Sequence, residues 1–550
     1  GNALLGHAGQ LLARLKHAGL VAGDRVATLA SASPEWLALD LAVLHGGFVS
    51  VPMHPDTMSA TCLDILREAN AKLVAVGDTH QAARIFTILG ELETLPKVVG
   101  LQSMAIEGDN MECWNVHDSN EVMEPLPEST SLHPAALYVR PHRTEERRDV
   151  GRDEVLCSPT SRAALFSVVD WLVKLRIFEP GKRFCTTEPV SSASTRSTLY
   201  AAFSAGATVA ISGRADISTS ATKHTLYRLS PDVILSHPRF LEDLHTEWAE
   251  RASRAGGLPE LLYDETLRTG AELTESRQRS RGSEVLARLR FAVTRRFVGK
   301  RVREQLGGRL ERVILTPGAL AQHVVRFYFG VGIRLTEAFG VSSGAGITHI
   351  NSPTEDRYGE GISALPGVRV QLSDEQQIEL SGGHLPASED WTPSGFMGQL
   401  ADGEPLVHGP MNSIIRVIGG KAVSANRIEA RLTASPYIWR AIVVGDQRDF
   451  LSALIVLNVD SVSRWLREHG IISHEESELA RHPLVYSLIE AVVNEVNDSL
   501  PSYETIRKLA ILERDFTKEL GEMTAAMELR RSVITARHQL LVDSFYREQY

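Results

Sequence analysis

Strand and helix signals alternate along the first hundred residues, and this pattern restricts the fold more than any other feature. Ala8, Leu11, Leu12 and Leu15 fall on one helical face, and Gly19 can close that helix. Arg25-Val-Ala-Thr-Leu-Ala reads as a strand. Ser33 before Pro34 is an N-cap with proline at the first helical position, opening a helix through Leu44. A further helix precedes the strand Lys72-Leu-Val-Ala-Val. Such alternation predicts an α/β layered fold with a largely parallel sheet. The chain has 550 residues, enough for two or more domains.

Composition excludes several classes. At 43% hydrophobic and 23% charged the chain is ordinary for a globular protein, and a net charge of −10 argues against a general nucleic-acid binder. Cys62, Cys113, Cys157 and Cys185 are scattered, with neither metal-ligand spacing nor a disulfide framework, so a cytoplasmic, reducing setting is expected. No apolar run approaches the roughly 20 residues of a membrane span, and no signal peptide is visible. No GxxxxGK[ST] or GxGxxG element occurs, and Ser158, Ser191 and Ser342 are read as sitting in no nucleophile elbow. The histidines are dispersed, and His237 beside Pro238 and His323 beside Val324 read as ordinary surface or core residues.

The segments GDRVA, EWLALDLAVLHGGFVSVP and AKLVAV are followed in order by PDVILSHPRFLEDL, VREQLGGRLERVILTPGAL and GVGIRLTEAFGVSSGAG. The tail holds SPYIWRAIVVGDQRDFLSALIV and GEMTAAMELRR. This series resembles the long-chain fatty acyl-CoA synthetases, members of the acyl-adenylate-forming superfamily. The resemblance implies a large N-terminal α/β domain, residues 1–408, and a small mobile C-terminal α/β domain, residues 409–550. The family's opening few dozen residues are expected to be absent. In the C-terminal domain Ile442-Val-Val and Ala453-Leu-Ile-Val read as strands, and one long helix carries Val485, Leu488, Val492 and Val496 on a single face.

Against that family, the positions that serve the nucleotide are changed. The phosphate loop Y-T-S-G-T-T-G-x-P-K-G corresponds to a glycine-free stretch, Tyr138 to Val150. Pro141 lacks an amide donor there, Arg148 falls near the loop lysine, and Glu145 and Glu146 would face phosphates, so this stretch reads as a solvent-exposed charged loop. Y-G-L-T-E becomes Phe339-Gly340-Val341-Ser342-Ser343: Ser342 keeps a hydroxyl, but Ser343 brings no carboxylate for magnesium. The ribose-binding T-G-D becomes Ser394-Gly395-Phe396. The hinge G-R-K-K-D becomes Gly409-Pro410-Met411-Asn412-Ser413, and P-L-S-H becomes Pro189-Val190-Ser191-Ser192. Glu528 stands where the family carries the lysine that reaches the carboxylate and α-phosphate. Two unit charges ~4 Å apart at a dielectric near 20 interact by about 4 kcal/mol. Reversing one charge is therefore a swing of up to roughly 8 kcal/mol, and half of it is about a thousandfold in rate.

Other features persist. Thr316-Pro-Gly318-Ala319 resembles the family's acyl and adenine pocket segment, and Ile418-Gly419-Gly420-Lys421 resembles the loop bordering its pantetheine tunnel. With Phe339 and Gly340 these are the expected remnants of an acyl or CoA pocket. The expectation is thus a catalytically inactive synthetase-like protein, without ATP or Mg²⁺, that binds another protein (an active paralogue or a larger assembly), an acyl or CoA ligand, or both. The main alternative is an active long-chain ligase whose ATP site is rebuilt on Arg140, Arg143, Arg147 or Arg148. A third is ATP-independent acyl-thioester chemistry using the hydroxyls of Ser342 and Ser343. Peripheral membrane contact stays open, because long-chain substrates partition into lipid.

Overall fold

The computed structural model describes residues 2–102, 112–114, 134–142, 154–211, 219–275, 290–316, 320, 322–352, 358–359, 361–382, 385, 391–418, 422–433, 435–471, 476–498, 500–517, 520–523 and 529–547. The opening follows the sequence pattern closely. Helix Asn2–His17 buries Ala8, Leu11, Leu12 and Leu15. It ends at Gly19, whose φ of 83° permits the paired bonds Gly19 N–H to Lys16 O (2.9 Å) and Leu20 N–H to Leu15 O (3.2 Å). Helix Pro34–His45 starts at Ser33, whose Oγ accepts the Trp36 N–H at 3.0 Å.

Two parallel sheets form the body. The first runs in the order Glu112–Cys113, Lys97–Gly100, Leu73–Val76, Arg25–Leu29, Val49–Met53, Ala136–His142, Glu154–Thr160, antiparallel only at the last pair. The second runs His349–Ile350, Arg334–Phe339, Arg312–Leu315, Val233–Ser236, Arg183–Thr186, Thr208–Ala210, antiparallel only at the first pair. Short uninterrupted apolar strands such as Leu73–Val76 suit a sheet covered on both faces. An antiparallel sheet follows: Arg369–Leu372, Gln377–Ser381, Thr392–Ala401, Glu404–Pro410.

A buried ion pair ties the first sheet's helices to the second. Arg196 Nε donates to Asp40 Oδ2 at 2.7 Å, with both side chains no more than 2% exposed. Ser50 Oγ donates to Asp40 Oδ1 at 3.0 Å, and the Tyr200 hydroxyl donates to Asp40 Oδ2. These bonds offset the large desolvation cost of two buried charges.

Beyond Pro410 the strands Ile438–Val444, Leu451–Leu457 and Ile506–Leu512 form a separate three-stranded sheet. Its two hydrophobic clusters contain nothing before Ile415 among the described residues. Both C-terminal strands expected from the sequence lie inside this sheet. Helix Pro483–Asp498 differs in detail: it buries Val485, Ile489 and Val493, while Leu488, Val492 and Val496 flank that line. The apolar run admits either stripe, and packing selects the one a residue further on. This part touches the body through helix Pro238–Ala255, where Arg239 lies 5.7 Å from the Trp439 ring and Ser461 Oγ donates to Glu250 Oε1 at 3.4 Å. Among the described residues no helix is long and apolar enough to cross a membrane.

Candidate functional site

The four central parallel strands of the second sheet end along one edge, and open α/β sheets place ligands outside the carboxyl ends of their strands. The segments leaving that edge hold Glu188 after Arg183–Thr186, His237 after Val233–Ser236, Thr316 after Arg312–Leu315, and Gly340 to Gly346 after Arg334–Phe339.

The last of these is the Phe339-Gly340-Val341-Ser342-Ser343 stretch. A Cβ on Gly340 would lie 2.5 Å from Thr348 N, so only glycine permits that close approach. The chain then makes a tight turn, Ser342–Gly344, and returns through Gly346, where φ is 85° and a Cβ would meet Ser194 N at 2.2 Å. The turn is pinned to the first sheet, since Thr160 Oγ1 donates to the Ser342 carbonyl at 2.5 Å. Ser343 is 3% exposed, and its hydroxyl has no hydrogen-bond partner among the described residues.

Phe396 comes to this turn from the antiparallel sheet. Its ring meets that of fully buried Phe339 edge-on, with centroids 5.6 Å apart and planes at 88°. Ser394 Oγ accepts the Phe396 N–H at 3.0 Å. Phe396 is also the register partner of Pro410 across the pair Thr392–Ala401 and Glu404–Pro410. Phe339 thus meets a hairpin whose two strands bring Phe396 and Pro410 opposite one another.

The described part of the expected charged loop, Tyr138 to His142, departs from that expectation, while residues 143–150, with Glu145 and Glu146, lie outside the described residues. Ala136–His142 is a strand, paired from Ala136↔Thr160 to His142↔Glu154, so the amides of Tyr138 to His142 lie in a ladder and even Pro141 has a register partner, Val155. Arg143, Arg147 and Arg148 lie outside the described residues, as do the side chain of Arg140 and all of Gly318, Ala319, Gly419, Gly420, Lys421 and Glu528.

Sequence reasoning missed a polar constellation at the same edge. Thr316 Oγ1 donates to Glu188 Oε1 at 2.6 Å and is 3.1 Å from His237 Nδ1. Ser194 Oγ donates to the other Glu188 oxygen at 3.4 Å. Glu188 follows a strand that reads as core, and His237 looks like a helix flank, so only the topology brings them together. Nearby, burial pushes the Glu337 carboxyl up to about 7 against the Gly359 N–H that it accepts at 2.7 Å. Burial lowers the His349 imidazole to about 4, and its Nδ1 shares a hydrogen bond with Thr348 Oγ1 at 2.9 Å. Among the described residues no group of three or more His, Cys, Asp or Glu could hold a metal ion.

Comparison with known proteins matches this geometry to a family. The model of the AMP-binding enzyme family matches residues 2–139, and that of the AMP-binding enzyme C-terminal domain matches residues 412–550. The long-chain-fatty-acid–CoA ligase FadD15 of Mycobacterium tuberculosis is 26% identical over 559 aligned positions, covering 96% of this chain and 89% of its own. The long-chain-fatty-acid–CoA ligase ACSBG1 of Bos taurus is 24% identical, covering 96% and 78%. Among solved structures, the anthranilate CoA ligase AuaEII with anthranoyl-AMP superimposes with a TM-score of 0.69 at 15% identity, covering 98% of this chain and 92% of that one. The adenylation domain of the carboxylic acid reductase from Segniliparus rugosus, with AMP and a co-purified carboxylic acid, gives 0.71 at 15%, covering 99% and 86%. The chain belongs to the acyl-adenylate-forming, AMP-binding enzyme family. Within that family it is a CoA-ligase-like member.

Proposed function

We propose that this protein does not adenylate acids and acts by binding, through an acyl or CoA ligand, a protein partner, or both. One observation carries the reading. At the position where the resemblance calls for a ribose-binding aspartate, Phe396 presents an apolar ring already packed on Phe339. An aromatic edge cannot accept hydrogen bonds from a ribose diol. Pro410, at the matching arginine position, is its neighbour in the ladder and offers no cation. Ser343, at the magnesium carboxylate's position, is a buried hydroxyl. With Glu528 in the lysine's place, cationic positioning of a triphosphate has lost its usual groups. Neither ATP nor Mg²⁺ fits this set. The reading keeps residues 1–408 and 409–550 as two units, the second serving contact rather than catalysis.

A second reading, an active ATP-dependent long-chain fatty acid–CoA ligase with a rebuilt ATP site, draws support from the end-to-end match to the ligases above. Calorimetric titration with ATP–Mg²⁺ and a fatty-acid-dependent pyrophosphate assay separate the two. The expected result is no saturable nucleotide binding and no pyrophosphate; micromolar binding with release overturns the first reading.

A further inference from the structure

The Glu188, Thr316 and His237 cluster is left unused by that reading. Thr316 has a single hydroxyl proton. Its 2.6 Å contact with Glu188 Oε1 has the length of a charge-assisted O–H···O⁻ bond, so the proton points at the carboxylate. The 3.1 Å contact with His237 Nδ1 then requires the ring to donate to Thr316 Oγ1. Direction is therefore fixed along the chain: His237 Nδ1–H to Thr316, and Thr316 O–H to Glu188. In the neutral ring this leaves Nε2 an acceptor. The His237 side chain is 46% exposed while that of Glu188 is 2% exposed, so the imidazole is the open end of a chain whose negative terminus is buried.

We propose that this chain is a ligand-selecting site that takes an uncharged head bearing a hydrogen-bond donor, a primary amide, alcohol or thiol on an apolar tail, and rejects a carboxylate or phosphate. Three observations join in it. The cluster lies at the carboxyl edge of the second sheet, where a ligand head would arrive. The half-exposed imidazole presents an acceptor at Nε2. The carboxylate behind it is shielded from water, so its field acts on the head with little screening, and an incoming anion meets like charge. The family's substrates are acids; this edge is built against them. The tail requirement rests on the proposed acyl binding.

Isothermal titration of the full chain with dodecanamide, dodecan-1-ol and dodecanoate tests the site, at a pH where dodecanoate is ionised. The amide and the alcohol should bind about tenfold or more tighter than the carboxylate, the cost of one unmatched charge or hydrogen bond. In His237→Ala the amide should lose about tenfold while the thermal melt of the unliganded protein stays put, because that ring is half-exposed. In Glu188→Gln dodecanoate should approach the amide. Should Glu188→Gln fail to fold, His237→Ala decides alone. The proposal is overturned if dodecanoate binds as tightly as the amide, if no variant changes the preference, or if none of the three ligands binds. Dodecanoate binding as tight as that of the amide, without pyrophosphate release, would sink this inference and leave the non-adenylating reading standing; pyrophosphate release would sink that reading itself.

Discussion

Phe396 and Pro410 lie opposite one another across an antiparallel strand pair, and Phe396 in turn seats its ring on Phe339. The resemblance read from the sequence sets each of the three in a different nucleotide motif of the family. On that expectation the departures from these motifs are neighbours in space, and the Phe396–Phe339 pair is a packing contact in its own right.

That contact should contribute to stability. Truncating Phe396 to alanine removes a part-buried ring from an edge-on pair, and the expected loss is about 1–2 kcal/mol, below the cost at a fully buried site. Urea unfolding of Phe396→Ala against the parent measures it; a midpoint unchanged within error means that the ring does no packing.

Asp40→Asn should be far more damaging. It leaves the Arg196 guanidinium buried without its counter-charge, a change that costs roughly 3–5 kcal/mol in buried pairs. The double variant Asp40→Asn with Arg196→Met should recover much of the loss, because no lone charge then remains. Equal destabilisation of single and double variants would count against the pairing.

Gly346→Ala tests the turn. Its positive φ and the 2.2 Å approach to Ser194 N leave no room for a methyl group, and the strain alone is about 1–3 kcal/mol. Thermal melts should show a clear drop, while Gly359→Ala, where φ is also positive but nothing among the described residues stands within 4 Å of the Cβ, should show less.

The buried histidines set a pH signature. Burial lowers His245 to about 3 and His349 to about 4, so both stay neutral in the fold while the unfolded chain protonates near 6.5. Between pH 6.5 and 4 the unfolded state binds more protons, and each imidazole removes up to about 1.4 kcal/mol of stability per pH unit as the pH falls. Glu242 and Glu337, both pushed up to about 7 by burial, act in the opposite sense: neutral when folded, they stabilise below 4.5 and lose that contribution as pH rises through 7. The two effects offset in the shared window. Carbon-bound proton signals of His245 and His349 should not titrate between pH 8 and 5; a midpoint near 6.5 for either would contradict its burial.

On the proposed function, Glu528→Lys by itself should leave pyrophosphate release at background, because Phe396, Pro410 and Ser343 remain where the resemblance sets the ribose and metal groups. Recovered activity would mean that those positions function.

The sequence discloses the parallel architecture well, because Ser33-Pro34, Gly19 and the short apolar strands act locally. It also points to Phe396 and Pro410 through their motifs. It does not disclose their register, which depends on a strand pair closing between them, nor the Glu188–Thr316–His237 chain, whose members leave three different strands. The stripe on helix Pro483–Asp498 is ambiguous from apolar residues alone, since valines and leucines occupy both candidate lines. Tyr138 to His142 looks like a loop by composition, yet ladder pairing with Glu154–Thr160 makes it strand.

Trp439 lies where the C-terminal sheet meets helix Pro238–Ala255, under the Arg239 guanidinium and donating its indole N–H to Asp515 at 3.1 Å. Any swing of the C-terminal part must separate that cation from the ring. The indole is thereby an intrinsic optical gauge: compared with Trp439→Phe, which removes one of the chain's seven tryptophans, the emission would register such a separation in solution with no label attached.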